Sequence, residues 1–185
     1  MSNEQMHLEE NLVRKIISGD IRAFKDLVHQ HERLVMYMIS RIVNNKEDIK
    51  DISQEVFLKV YKSINKFNYD SKLSTWIATI AYRTAINYAK KDLSKNFIND
   101  IEIPIDYETP EQILSIKNEA KFIQEQISRL PLSYRTVVTL YHLNEFSYQE
   151  IGEITGFPEG TIKNYLFRAR KLLKERLEHY YRARK

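Results

Sequence analysis

Apolar residues recur along most of the chain at spacings of three and four, the period of a helix with one buried face. The first two apolar stripes are separated at Ser18–Asp20, where Gly19 suits the end of one helix and Asp20 the start of the next. The stripes of the first half of the chain cover residues 12–17, 23–28, 34–43, 49–64 and 76–88. They predict a first helical bundle over residues 1–93.

The helical period is lost over residues 94–115, where apolar and acidic residues alternate and two prolines occur. This composition predicts a flexible linker. A strand over residues 100–106 is the alternative, although Pro104 would confine it to a sheet edge. Helical spacing returns after the linker, is interrupted at Pro131 and continues to the end of the chain. We therefore predict an all-α fold of two small helical domains joined by the linker, the second over residues 116–185.

Residues 146–173 contain two short apolar stripes around a turn. Ser147, followed three residues later by Glu150, has the spacing of a capping box, which predicts that a helix starts at the next residue. Gly156 suits a left-handed helix stop, and Pro158 suits the first turn of a second helix. This segment therefore predicts a helix-turn-helix.

Composition excludes several kinds of function. The chain has no cysteine, so disulfides, thiolate nucleophiles and cysteine-bound zinc or iron–sulfur clusters are ruled out. The N-terminus lacks an apolar signal core, and no stretch approaches the roughly 20 apolar residues that cross a bilayer. We therefore expect a soluble, intracellular protein without membrane insertion. No glycine-rich phosphate loop and no Ser-His-Asp motif is visible, so the sequence predicts no catalytic residue and no cofactor.

Charge is unevenly distributed, although the net charge is only +4. Residues 158–185 carry nine basic against three acidic side chains, whereas residues 96–116 carry five acids and no Lys or Arg. On the second helix of the helix-turn-helix, basic and polar residues fall opposite the apolar stripe. Such a face suits the DNA major groove, because side chains near the helix start contact the edges of nucleotide bases and Lys or Arg side chains further along contact phosphates. The alternative is a solvated basic helix.

A second candidate surface lies on the helix predicted over residues 49–64 and just before it. Asp48, Asp51 and Glu55 are three, four or seven positions apart, which places them on one helix face. Three interpretations are open: a metal or acid–base site, a docking surface for a basic partner, or a solvated acidic face. No His lies near that face and no second acidic helix matches its spacing, which disfavours the metal site.

The segment that follows combines aromatic side chains, amide side chains and the basic side chains of Lys and Arg. Residues 72–95 carry a net charge of +4. Aromatic faces with nearby cations suit single-stranded DNA, whose bases stack or enter pockets while the backbone follows the positive surface. The sequence therefore predicts a single-stranded DNA surface over residues 65–87.

Both halves resemble a known family. Residues 47–91, which contain the motif DISQEVF, resemble region 2 of the bacterial sigma-70 family, and residues 130–177 resemble its region 4. Only these two regions are recognised, separated by a short linker, as in the extracytoplasmic-function (ECF) subgroup. The resemblance implies an initiation factor, not an enzyme. Such a factor joins core RNA polymerase, directs it to specific promoters and aids promoter melting.

The resemblance also implies residue roles. It implies contacts to −35 duplex DNA for Lys163, Asn164, Phe167, Arg168 and Lys171. It implies contacts to the separated −10 strand for Asn65, Lys66, Phe67, Asn68, Tyr69, Asp70, Ser71, Lys72, Trp76, Arg83 and Asn87. It implies docking to the clamp helices of the polymerase β′ subunit for Asp48, Asp51, Gln54 and Glu55. Core packing is the alternative for Phe67 and Trp76, and Arg170 either joins the −35 face or lies toward the domain interior.

The implied partners are core RNA polymerase (through the β′ clamp helices and the β-flap), promoter DNA in duplex and single-stranded form, and an anti-sigma factor. The β-flap surface is implied around Tyr134–Leu143, with core packing as the alternative, and the implied location is the bacterial cytoplasm. The acidic linker either mimics nucleic-acid charge or is a solvated tether. Two rival functions remain open: a stand-alone helix-turn-helix regulator, and an enzyme using Asp51 and Glu55.

Overall fold

The computed structural model describes residues 3–43, 45–95 and 116–183. Eight α-helices make up most of this part of the chain, and no strand occurs in it. The helices are α1 (Asn3–Ile17), α2 (Ile21–Ser40), α3 (Lys46–Ser63), α4 (Leu73–Lys95), α5 (Ile116–Ser128), α6 (Leu132–Val138), α7 (Tyr148–Thr155) and α8 (Glu159–Ala183). The predicted all-α fold is confirmed.

Helices α1–α4 form the N-terminal bundle, whose apolar stripes meet in one buried core. The break between α1 and α2 follows from local chemistry. Gly19 has a φ of 92°, in the left-handed region that glycine adopts without a Cβ clash. The Asp20 carboxylate then accepts hydrogen bonds from the backbone N–H groups of Arg22 and Ala23, at 2.8 and 3.2 Å. The predicted helix stop and start at Ser18–Asp20 are thus confirmed.

Helices α5–α8 form the C-terminal bundle. The predicted interruption at Pro131 lies between α5 and α6. Helix α6 continues into a π-helical turn, Thr139–Leu143, an irregular element that the apolar pattern did not predict. Helix α8 packs its apolar face against α6 and α7. The helix-turn-helix α7–α8 is therefore supported from behind by α6.

The two bundles are in contact. Met38 of α2 and Ala78 of α4 are buried in the same cluster as Leu140, Ile151 and Leu166 of the C-terminal bundle. Helix α4 lies along α7. The packing of one bundle on the other is a feature that the sequence pattern left open.

The predicted linker falls almost entirely on residues 96–115, outside the described residues, as do the strand alternative at 100–106 and the acidic cluster. Helix α4 extends to Lys95, two positions beyond the predicted end of the first domain. None of the helices in the described part of the chain combines the length and apolar character needed to cross a bilayer.

Candidate nucleic-acid interface

The helix-turn-helix is fixed by backbone capping at both ends of α7. The Ser147 hydroxyl accepts from the backbone N–H of Glu150 at 3.3 Å, and the Glu150 carboxylate accepts from the backbone N–H of Ser147 at 2.8 Å. After α7, Gly156 takes a left-handed φ of 78° and its N–H donates to the Gly152 carbonyl at 2.8 Å. Helix α8 starts three residues later. The predicted capping box, stop and second helix are all confirmed.

The two faces of α8 divide as the pattern predicted. Ile162, Leu166 and Ala169 are at most 1% exposed and pack against the rest of the C-terminal bundle. The five residues predicted for the −35 duplex are all exposed on the other side: Lys163, Asn164, Phe167, Arg168 and Lys171. Phe167 is 68% exposed, so its ring is available to a partner. The structure therefore brings the predicted set together on one solvent-facing surface.

Side chains on this face are already paired with one another. The Lys163 ammonium lies 2.6 Å from the Glu159 carboxylate and over the Tyr148 ring. Its hydrogen bond to Glu159, with the attraction of that negative charge, raises the pKa of Lys163. These groups are exposed, so a phosphate can replace the Glu159 carboxylate with little desolvation cost.

Arg168 is held in the same way. Its Nε donates to Asn164 Oδ1 at 3.1 Å, and its Nη1 donates to the Tyr134 hydroxyl at 3.4 Å. The hydrogen bond to Tyr134 raises the pKa of Arg168, and the guanidinium is charged at neutral pH with or without that contact. Tyr134 also packs its ring against Tyr165 of α8. Sequence reasoning did not assign Tyr134 to the −35 surface, because its helix is separated from α8 by the whole of α7.

Arg170 lies apart from the predicted −35 residues. It donates from Nε to His142 Nε2 at 3.3 Å and lies over the Tyr141 ring. Both side chains line a surface pocket of about 410 Å³, together with Leu173 and Leu177. Burial, and then the charge of Arg170, lower the pKa of His142. Arg170 is thus exposed rather than interior, but it faces the pocket formed by α8 and the π-helical turn.

The loop predicted to capture −10 bases has a buried centre and an exposed rim. Phe67 is 5% exposed and belongs to the core of the N-terminal bundle, with its ring centre 4.8 Å from Tyr69 and 5.4 Å from Trp76. Trp76 is half-buried against the same core. The core alternative therefore describes the Phe67 ring in this structure, and the predicted base contact of Phe67 would need the loop to rearrange. The rim consists of Asn65, Lys66, Asn68 and Asp70, all exposed.

The remaining residues predicted for the −10 strand lie on α4 or just before it. Arg83 and Asn87 are exposed on this helix, so they are open to a partner. Lys72, just before the helix, is instead paired with the C-terminal bundle: its ammonium lies 2.9 Å from the Glu150 carboxylate. Ser71, between the rim and Lys72, is half-buried. The predicted −10 set is therefore split between an open surface and a covered one.

The predicted docking residues lie together on α3. Asp51, Gln54 and Glu55 are exposed and Asp48 is half-buried. The Glu55 carboxylate is 2.6 Å from the Lys59 ammonium, one helical turn on. No group of three or more His, Asp or Glu side chains that could hold a metal ion occurs among the described residues.

Two apolar side chains extend this acidic surface. Leu58 and Tyr61 of α3 are 59% and 45% exposed, and Leu58 follows Asp51, Gln54 and Glu55 by seven, four and three positions. Tyr61 falls within the apolar stripe predicted over residues 49–64 and was expected to face the core. It is 45% exposed instead, and its ring packs edge-on against Phe24 at 4.8 Å. Sequence reasoning did not single out Leu58. The apolar spacing of this helix nevertheless places position 58 on the outer face, because the neighbouring positions 56, 57 and 60 face the core.

Comparisons with known proteins match both halves. Residues 27–93 match the family model described as Sigma-70 region 2, and residues 123–173 match that described as Sigma-70, region 4. The chain is 30% identical over 181 residues to the ECF RNA polymerase sigma-E factor of Haemophilus influenzae, covering 92% of this chain and 95% of that one. It is 30% identical over 176 residues to the ECF RNA polymerase sigma factor SigW of Bacillus subtilis, covering 89% and 94%.

Among solved structures, the sigma factor RpoE of Bartonella quintana, in complex with the anti-sigma factor NepR, is similar with a TM-score of 0.68. The two sequences are 21% identical, and the match covers 85% of this chain and 98% of that one. At this identity the similarity concerns the fold. The predicted order, region 2 before region 4, is confirmed by the two family-model matches in this chain.

Proposed function

This chain belongs to the sigma-70 family as an ECF-type RNA polymerase sigma factor, and from that premise we propose that it directs core polymerase to specific promoters and aids their melting. The family is not enzymatic. The observation that carries the proposal is the exposed face of α8, where Lys163, Asn164, Phe167, Arg168 and Lys171 lie together on a capped helix-turn-helix.

In this proposal α8 enters the major groove at the −35 element. Asn164, near the helix start, meets base edges, while Arg168 and Lys171 meet phosphates further along. Lys163 exchanges the Glu159 carboxylate for a DNA acceptor. The exposed Phe167 ring packs on a thymine methyl or a sugar, which accounts for an apolar side chain in solvent.

Melting of the −10 element relies on differential binding and not on covalent chemistry. A base that leaves the duplex loses stacking, and a binding surface for the separated strand offsets that loss. Exposed side chains of suitable chemistry are present on the loop rim and on α4, including Lys66, Asn68, Arg83 and Asn87. Lys72 joins them once it leaves Glu150.

We propose two contacts with the polymerase. The acidic residues Asp51 and Glu55, with Gln54, dock on the β′ clamp helices, and the neighbouring Leu58 and Tyr61 add apolar area to that contact. The pocket between the π-helical turn and α8 has an apolar floor and suits an apolar side chain of the β-flap. The polymerase partner also makes the bacterial cytoplasm the expected location.

An anti-sigma factor is proposed as a further partner. The similar RpoE structure contains one. Binding of the anti-sigma factor NepR by purified protein would support extension of that property to this chain, and pull-down from a lysate would identify the natural partner.

The test is transcription reconstituted with bacterial core polymerase, followed by sequencing of run-off transcripts from a fragmented genomic library. We expect discrete new start sites with the wild type and their loss in Asp51→Ala plus Glu55→Ala. The matched control is Glu125→Ala plus Glu153→Ala, which removes the same charge from exposed positions on α5 and α7.

Absence of new starts and of polymerase association, together with sequence-specific duplex binding, would instead establish the stand-alone regulator. Equal loss of starts in the control variant would show that the α3 surface is not the docking site.

A further inference from the structure

Helix α1 carries a carboxylate on the face that packs into the N-terminal bundle. Val13 and Ile16 of α1 are 0% and 3% exposed and belong to the core of that bundle. Glu9 precedes them by four and seven positions, so the helical period directs its side chain to the same face. Glu9 is half-buried there. A carboxylate in such a position needs a hydrogen-bond donor, because burial of an ion without one is costly.

The donor comes from the start of α4. The backbone N–H of Leu73, the first residue of α4, donates to Glu9 Oε2 at 3.1 Å. The preceding residue, Lys72, occupies the cap position, because its carbonyl accepts the first helical hydrogen bond, from the N–H of Trp76 at 3.1 Å. A lysine side chain has no acceptor atom and cannot cap a helix start. Glu9 therefore caps α4 from another helix.

The capped end of α4 is the junction between two parts of the predicted −10 surface. Loop residues 65–72 precede Leu73, and Trp76, Arg83 and Asn87 follow it on α4. A helix start also favours a negative charge, because its free N–H groups carry partial positive charge. Glu9 thus acts at the point where the direction of the loop relative to α4 is set.

A second contact of α1 is with the loop itself. Tyr69 has a φ of 64°, in the left-handed region that large side chains rarely adopt, and its ring centre lies 4.8 Å from that of Phe67. Burial, and then the charge of Glu10, raise the pKa of Tyr69, whereas the charge of Arg14 lowers it. Both α1 side chains are therefore close enough to act on the phenol. An unusual backbone conformation persists only where its surroundings hold it.

Helix α1 also packs against the 3₁₀ turn Ile64–Lys66, which leads into the loop. It therefore contacts the beginning of the loop, acts on Tyr69 in its middle and caps the helix that follows it. The region 2 family model matches residues 27–93, so α1 lies outside the matched segment. None of the −10 residues predicted from the sequence lies on α1.

We propose that Glu9 is a positioning residue for −10 recognition: by capping α4 from α1, it fixes the direction of loop residues 65–72 relative to Arg83 and Asn87. The inference rests on the proposed function, because it names a residue that sets the specificity of the proposed −10 surface. Glu9 does not contact DNA. Without it, the Leu73 N–H loses its acceptor, the first turn of α4 frays, and the loop no longer meets the strand in one geometry. Base discrimination is then lost while the fold remains.

The cap is tested on the free protein by hydrogen exchange of backbone amides, which needs neither polymerase nor DNA. In Glu9→Ala, the amides at the start of α4 should exchange about fivefold faster, the size expected when a helix loses its cap. The matched control is Asp26→Ala, which removes an exposed carboxylate from the same surface groove and should leave these amides unchanged. Amides of α8 should exchange alike in all three proteins. Unchanged exchange at the start of α4 in Glu9→Ala would overturn the cap.

Positioning is tested with reconstituted polymerase and a promoter library randomised at the −35 and −10 elements. Glu9→Ala should flatten the base preference within the −10 element and leave the −35 preference as in the wild type. Glu9→Gln keeps an acceptor oxygen without the charge, so it should retain most of the −10 preference. A bundle that is only less stable would lower transcription from all promoters without changing which bases are preferred, so base preference separates positioning from stability.

The outcomes distinguish the positioning role from the proposed function. Faster exchange in Glu9→Ala with an unchanged −10 preference would make Glu9 a stability residue only and overturn its positioning role. An equal loss of −10 preference in Asp26→Ala would also overturn it, because the effect would then be one of charge in general. Absence of promoter-specific starts with the wild type would reject the proposed function and the recognition role with it, while hydrogen exchange would still decide whether Glu9 caps α4.

Discussion

At the scale of single residues, Asn164 and Arg168 share a hydrogen bond on the exposed face of α8 but are expected to differ in what they recognise. Arg168→Ala should weaken binding to all duplex sequences and lower the salt dependence of binding by about one phosphate contact. Asn164→Ala should change the preferred −35 sequence instead, because amide side chains read base edges. Selection from a promoter library with each variant measures both effects. An unchanged preference after Asn164→Ala would contradict its assignment to base recognition.

His142 gives a second prediction at this scale. Its pKa lies below the ordinary value of 6.5 because of burial and then the charge of Arg170. Arg170→Gln removes that charge, so the pKa of His142 should rise toward 6.5. Titration of the imidazole signals by NMR measures the change, with Lys171→Gln as the control because this exposed basic residue does not line the pocket. No rise in pKa would show that Arg170 does not act on His142.

The direction of the accompanying stability change follows from the same pKa. Because the folded state holds His142 less protonated than the unfolded chain, the unfolded state takes up a proton first as the pH falls below about 6.5. The free energy of unfolding therefore decreases as the pH falls from about 6.5 to below the pKa of His142 in the folded state. Arg170→Gln should reduce this loss.

At the scale of elements, two glycines flanking the turn of the helix-turn-helix make a matched pair. Neither Gly156 nor Gly160 has another atom within 4 Å of an added Cβ, but Gly156 has a φ of 78° whereas Gly160 lies in α8. Gly156→Ala should therefore lower the free energy of unfolding by about 1 kcal/mol through backbone strain alone. Gly160→Ala should raise it by up to about 1 kcal/mol, because alanine favours a helix.

Urea unfolding followed by circular dichroism compares the two variants directly. Opposite signs would confirm that conformation, and not space, decides the residue at each position. Equal destabilisation by both substitutions would mean that an unrecognised contact, common to the two sites, matters more than φ.

At the scale of the whole molecule, two alanines of α4 separate the stability of one bundle from the contact between bundles. Ala78 is buried against the C-terminal bundle and Ala81 is buried in the core of the N-terminal bundle. Ala78→Leu should push α7 away from α4 and lower energy transfer between dyes attached at Arg22→Cys on α2 and Glu175→Cys on α8, both exposed positions in a chain without cysteine. Ala81→Leu should instead destabilise the N-terminal bundle by about 1–3 kcal/mol through overpacking.

The single tryptophan, Trp76, reports on the N-terminal bundle because it packs against that core. The midpoint of urea unfolding followed by Trp76 fluorescence should shift to a lower urea concentration in Ala81→Leu and change little in Ala78→Leu. Unchanged energy transfer in Ala78→Leu would contradict the close packing of α4 on α7.

Local features of this molecule were determined by the sequence itself. The helices, the stop at Gly19, the capping box at Ser147 and the exposed face of α8 all followed from spacing, because the interactions that create them join residues within one or two helical turns. The two regions were also identifiable, since each carries its motif in a continuous segment.

Only the tertiary structure decided which distant side chains meet. Glu150 and Thr75 are 75 positions apart, and no periodicity indicates that α7 lies on α4. The burial of Phe67, the exposure of Tyr61 and the pairing of Arg170 with His142 are likewise set by neighbouring elements. Helical period fixes the direction of a side chain from its own axis, whereas its partner depends on how the helices pack, and that packing is a property of the whole chain.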